Sequence, residues 1–325
     1  MTTKSTFKIT SAAIAAAFFV AACGGGGGGS SAAAPATPAS TPSALTNLPS
    51  PQYAADSAQL AAFNVLNQQR QQCGLAALQD NSTLDQAAQA HALYMGQNGA
   101  QITDSEVSGN PGFVGATYAD RASHFGYTGV YVGGVSGGYY TNATLSDSQY
   151  GQQLAYEWLS GVYHIAVAVW PVTSIGVGFN KVTYNGFPEV QGTLTIANLQ
   201  GKLANTPLTF PCQGTTGVAY STGGETPTPP NTAGNWGTPV AVAANVADTV
   251  RLQSGTMTDS AGHVITLQLL DSSNDPNKLL PAYEGVAYPA TPLAANSTYS
   301  VAVTGTVNGV AFSRTFTFTT GNIVG

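Results

Sequence analysis

The chain has 325 residues, 43% of them hydrophobic, which is enough apolar material for two folded regions plus tails. Lysine and arginine total 9 against 15 acids, a net charge of −6, and only 7% of residues are charged. No basic patch exists to neutralise phosphates, so nucleic acid is excluded as a partner.

The N-terminus reads as a targeting segment. Lys4 and Lys8 precede the apolar run SAAIAAAFFV, which is too short to cross a bilayer as a mature helix. It ends in VAAC, Val20 to Cys23, which resembles a bacterial lipobox. The resemblance implies a signal peptide over 1–22, cleavage before Cys23 and lipidation of that cysteine, hence a membrane anchor. Gly24 stands where an inner-membrane retention signal usually has Asp, so the expected place is the outer membrane of the cell envelope. Residues 23–50, rich in Gly, Ser, Ala and Pro, read as a flexible tether.

The folded part opens with helices. DSAQLAAFNVLNQQRQQCGL sets Leu60, Phe63, Val65 and Leu66 at helical spacing, and Gly74 ends the pattern. DNSTLDQAAQAHALYMGQNG is a second helix, capped by Asn81 or Ser82, with Leu84, Ala87, Ala88, His91 and Met95 along one side. DSQYGQQLAYEWLSGVYH is a third. The runs SIGVGFNKV and FPEVQGTLTIANLQ are strand-like. Helices followed by an antiparallel sheet define an α+β domain over 51–220.

Residues 221–237 fall in a Gly- and Pro-rich run that reads as an interdomain linker. Beyond it HVITLQLLD, STYSVAVTGTV and VAFSRTFTFTTG alternate apolar and polar residues, and Asn308-Gly309 marks a hairpin. Residues 238–325 are therefore expected to form a small all-β sandwich, similar to bacterial Ig-like domains. With Cys23 acylated, Cys73 and Cys212 remain, and in an exported compartment they most simply pair. Two cysteines without Cys-x-x-Cys spacing do not suggest zinc.

Polar candidates are few. His91 lies on the apolar side of the second helix and reads as a core histidine. His124 and His263 read as surface residues, and Arg121 as a structural ion-pair or carbonyl partner. GVSGG, Gly134 to Gly138, matches the nucleophile elbow G-x-S-x-G, but it lacks the strand–turn–helix context that motif requires. Tyr127, Tyr131, Tyr139, Tyr140 and Tyr150 punctuate a Gly- and Ser-rich stretch whose one charge is Asp147, and the stretch reads either as an adaptable contact loop or as cover for the core.

Four blocks in order, NQQRQQCGLAALQDNSTLDQAAQAHALYM, NPGFVGATYADRASHFGY, EWLSGVYH and SIGVGF, resemble the CAP superfamily, also called SCP/PR-1-like. The resemblance covers about 51–205 and implies an α-β-α sandwich whose cleft carries two His and two Glu able to hold a divalent metal. Glu157 and His164 match the second Glu and second His. Asp104 stands at the first His position, and Gly134 at the first Glu position, so half of the tetrad is replaced. On one continuous helix Glu157 and His164 would lie about 10 Å apart, too far to touch unless Gly161 ends the helix between them.

The expected protein is thus an envelope-anchored CAP-domain lipoprotein. It binds a lipid, glycan or protein in a degenerate cleft of Asp104, Glu157 and His164, without catalysis and with at most a weakly bound Zn or Ca ion. Two alternatives stand beside it: a metal-dependent envelope hydrolase, with Glu157 as base and His164 as ligand, and an adhesion protein acting through the Ig-like region.

Overall fold

The computed structural model describes residues 47, 48, 50–130, 132–200 and 202–325. The signal peptide, Cys23, most of the tether and Tyr131 lie outside the described residues. Those described belong to one compact unit.

Helix α1 (Ala58–Gln72) begins at Ser57, whose side chain accepts the Leu60 N–H, and buries Phe63 and Leu66. Strand β1 (Gln79–Asp80) leads into α2 (Ser82–Gln97), capped by Asn81, with Leu84, Ala87, Ala88, His91 and Met95 buried as their spacing predicts. A loop then reaches the short α3 (Tyr118–His124), fixed by a Thr117–Asp120 capping box. Strand β2 (Gly133–Tyr140) precedes α4 (Asp147–Trp158), α5 (Val162–Val169), β3 (Val172–Tyr184) and β4 (Phe187–Leu199). The four strands form one sheet in the order β1-β3-β4-β2, which leaves β2 at an edge.

Glycines set how closely the layers meet. A Cβ on Gly178 would strike the α2 backbone at Ala88, and one on Gly192 would strike Leu154 of α4. Gly178 pairs with Thr193, the neighbour of Gly192, so these contacts fall on opposite faces of the sheet. Helix α2 therefore covers one face and α4 the other, the expected α-β-α sandwich.

The remaining strands are β5 (Leu208–Phe210), β6 (Thr215–Val218), β7 (Thr222–Gly223), β8 (Asn235–Trp236), β9 (Val240–Ala243), β10 (Val250–Asp259), β11 (Val264–Thr266), β12 (Gln268–Asp271), β13 (Glu284–Tyr288), β14 (Thr298–Val307) and β15 (Val310–Thr320). They build a sheet β11-β10-β14-β15-β6 and a sheet β12-β13-β9-β5, with β7 and β8 pairing separately. The region is all-β, and Asn308 and Gly309 make the anticipated hairpin turn with positive φ at both positions.

The division of the chain departs from expectation. β5 and β6 precede residue 221, yet they pair with β9 and β15 of the all-β region. The stretch 221–237 is not a loose linker, because its few large or charged residues are spent on packing. Trp236 is fully buried and donates its Nε1–H to the Ser160 carbonyl at 3.0 Å. The all-β region also holds α5 directly: Trp170 Nε1 donates to Glu284 Oε2 at 2.9 Å, and Tyr163 OH donates to Asp275 Oδ1 at 2.9 Å. From the other side, buried Arg70 of α1 donates to the carbonyls of Ala168, Trp170 and Val172 at 2.7, 3.0 and 3.2 Å. Burial brings its pKa down to about 10 despite the Glu284 carboxylate. Cys73 and Cys212 form the expected disulfide, closing 139 residues of chain and tying the end of α1 to the β5–β6 connection.

Candidate functional site

The third predicted helix is two helices. α4 ends at Leu159, and Gly161 starts α5 with extended φ and ψ and no side chain to cap it. The missing cap comes from Glu225, the only charged residue between Lys202 and Asp248. Its carboxylate accepts the N–H groups of Val162 at 2.8 Å, Tyr163 at 2.9 Å and His164 at 2.8 Å, three of the four donors a helix start leaves unpaired. Its Oε1 also lies 3.9 Å from His164 Nε2. The turn at Gly161 brings His164 round to the same cleft as Glu157.

That cleft opens at the free edge of β2 and is lined by Asp104, Ser136, Gly138, Glu157, His164 and Glu225, with a volume of about 220 Å³. The Ser136 N–H donates to Asp104 Oδ1 at 2.9 Å, and the Gly138 N–H donates to Glu157 Oε1 at 3.1 Å. Amides two residues apart on one strand edge are separated by about 7 Å. The two acids therefore hang side by side along the edge, occupying donors that an edge strand would otherwise offer to another chain.

Asp104 is placed by a buried polar frame. Glu106, two residues on, accepts from the Val114 and Gly115 N–H groups at 2.8 and 3.2 Å and meets His91 Nδ1 at 3.0 Å. Burial raises the Glu106 carboxyl, but His91, the two amides and Arg121 outweigh it and hold the net pKa below the usual value. His91 Nε2 reaches the Thr103 carbonyl at 2.7 Å and Arg121 Nη2 the Asp104 carbonyl at 3.0 Å. His91 and Arg121 are thus structural, as read, and both act on the loop that presents Asp104. His124 and His263 are exposed and stand outside the cleft.

The vacant fourth position has a physical cause. A Cβ on Gly134 would lie 2.3 Å from the Tyr118 ring, so no Glu fits there. The Tyr118 hydroxyl fills the space instead, donating to Asp104 Oδ1 at 2.7 Å and meeting Ser136 Oγ at 2.8 Å. Ser136 is buried in mid-strand and hydrogen-bonded, not raised on an elbow.

Burial and the nearby Glu225 carboxylate raise Glu157, while His164 and the Gly138 N–H act against them; the result is a pKa of about 7. Its Oε2 is buried without a partner beside the equally unpartnered Trp158 Nε1, both against Gly137. Glu225 is also raised, by burial first, against the pull of His164 and the three helix amides. Among the described residues no three His, Cys, Asp or Glu side chains are placed to hold a metal ion.

The tyrosines read either as a contact loop or as cover for the core are divided between the two roles. Tyr127 and Tyr150 are buried in the cores, and Tyr139 is half-buried with its hydroxyl on the Tyr150 carbonyl. Tyr140 alone of the four described is fully outward, 69% exposed. The middle of the stretch, Gly133–Tyr140, is strand, and its glycines let the edge of the sheet pack against Trp158 and Tyr118.

Residues 63–196 match the model of the cysteine-rich secretory protein family, and this part of the chain is a CAP domain. No curated protein matches the chain.

Proposed function

We propose that this is an envelope-anchored CAP-domain protein that binds a polar ligand in the Asp104–Glu157–His164 cleft without turning it over. Lipidation of Cys23 anchors it to the outer membrane, and residues 23–50 tether it. The observation that carries the reading is the convergence of two acids and a histidine around an uncharged strand edge, with Tyr118 occupying the place of a fourth ligand. The cleft is small beside the ~300–1,000 Å³ of drug-sized sites and polar, which disfavours a lipid chain. One observation favours the hydrolase alternative: a carboxyl titrating near 7 suits general acid–base work.

The test is co-sedimentation of the protein with isolated envelope glycan and with outer-membrane vesicles. Binding should fall roughly tenfold, ~1.4 kcal/mol, in Glu157→Ala and His164→Ala, and no soluble fragment should be released with or without added zinc. Zinc-dependent release of product would replace this reading with the hydrolase. Binding indifferent to both substitutions would leave adhesion through the all-β region.

A further inference from the structure

Beside the acid cleft lies a second cavity of about 400 Å³, lined by Tyr139, Tyr140, Leu145, Gln153 and the segment Asn322–Gly325. The two cavities share Gly138, Glu157 and Gly223, so they are one groove along the edge of β2, with Glu157 at its middle. One wall comes from outside the CAP domain. Residues Thr222–Thr226 line the acid end, and Asn322–Gly325 line the tyrosine end. These two segments are joined by a bridge between Ser221 and Val324 and by the Gly325 N–H on the Ser221 carbonyl at 2.8 Å. Gln153 of α4 donates to the Val324 carbonyl, closing the wall onto the CAP domain.

The chemistry of the lining narrows the occupant. None of the described lining residues is Lys or Arg, and Asp104, Glu157 and Glu225 outnumber the one histidine, so the groove does not favour a phosphate, sulfate or carboxylate. The Ser136 and Gly138 amides are already taken by Asp104 and Glu157, so an extended peptide finds neither donor it would need to add as a strand. What remains are hydroxyl, carboxyl and carbonyl groups and the His164 imidazole at one end and an exposed tyrosine ring at the other. Glu157 stands between them, its Oε1 held by the Gly138 N–H. A chain of sugar rings matches this sequence of groups, with hydroxyls for the polar end and an apolar C–H face for the Tyr140 ring.

We propose that the groove binds a linear neutral saccharide, one sugar in the acid cleft and the following ones running over Gly138 onto Tyr140. The proposal rests on the cleft-binding reading above and adds the second cavity and the ligand class.

The experiment is calorimetric titration of the full chain with dimers and pentamers of β-1,4-linked N-acetylglucosamine, β-1,4-linked glucose and α-1,4-linked glucose. A heparin pentasaccharide and spermidine serve as charged probes. At least one neutral pentamer is expected to bind roughly tenfold more tightly than its dimer. Tyr140→Ala should bring that pentamer down to the dimer's affinity and leave the dimer unchanged, and Glu157→Gln should weaken both. Equal affinities for dimer and pentamer, with Tyr140→Ala silent, would overturn the groove while leaving the cleft reading intact. Binding of heparin or spermidine alone, or of no neutral pentamer at concentrations up to about 5 mM, would overturn the ligand class. Tyr140 is exposed, so its replacement is expected to leave the melting temperature unchanged, which separates lost contact from lost fold.

Discussion

The Glu225 carboxylate accepts the His164 backbone N–H at 2.8 Å and lies 3.9 Å from the same residue's Nε2. One acid from outside the matched CAP segment thus starts the helix that carries the cleft histidine and faces its ring. Glu225→Ala would leave three amides uncapped. It is expected to lower stability by ~1–3 kcal/mol, measured by urea denaturation, and to shift the His164 ring resonances. Glu225→Gln keeps one acceptor oxygen and is expected to lose less.

The Glu157 carboxyl keeps its proton to about pH 7 in the folded protein, against 4.5 for an ordinary glutamate. Between those values the native state holds a proton that the unfolded chain has released. Stability contributed by the protonated carboxyl is full below pH 4.5, falls as pH rises, and is lost above about 7. Glu157→Gln removes that dependence. The urea midpoint of the variant should overtake that of the wild type progressively from pH 5 to 7 and keep a constant lead above. Asp85, raised from 3.8 to about 8 by burial and by Asp80, adds a slope of the same sign over that wider range, common to both proteins.

Cys73 and Cys212 bridge 139 residues. On the chain-entropy account such a loop contributes ~4–5 kcal/mol. The Cys73→Ser/Cys212→Ser double variant should lose stability of that order, and non-reducing peptide mass spectrometry of the wild type should recover the linked pair. Two alkylatable thiols in the native protein would contradict the bridge.

Removal of 238–325 is expected to unfold the CAP part, not to release it. The truncation strips β5 and β6 of their sheet partners, Trp170 Nε1 of Glu284 and Tyr163 OH of Asp275. Stranding these buried groups costs ~1–3 kcal/mol each. The fragment 47–237 should give a collapsed amide NMR spectrum, and a dispersed spectrum would refute the coupling.

Helices α1 and α2 were legible because their apolar spacing is a local signal, with Asn81 as one of the two caps read for α2, whereas α3 was not read and α4 and α5 were read as one helix. The approach of Glu157 and His164 to one cleft was legible only on the condition that Gly161 ended the helix, which it does. The Asn308-Gly309 hairpin was legible as a local signal too. What was not legible depends on partners far along the chain. β2 hides in a run of glycines whose strand character comes from packing against Tyr118 and Trp158. Residues 264–271 look like one strand yet serve two sheets, β11 in one and β12 in the other. Glu225 left a faint trace: a lone acid in a long uncharged stretch has few reasons to be there except a buried partner. Glu106 stands beside Asp104 in sequence, but its link to His91 appears only when the loop folds back onto α2.

The pairing of β6 with β15 joins residues about a hundred positions apart, and the Cys73–Cys212 bridge reaches further still. At ~5–20 residues added per second, Cys73 emerges some 7–28 s before Cys212 during synthesis. Over that interval its thiol is free to react elsewhere. The order of manufacture therefore runs against the order of assembly. The amino-terminal lobe is made first but finished last, after β15 has arrived, and a chain interrupted before then presents unpaired β5 and β6 to its neighbours.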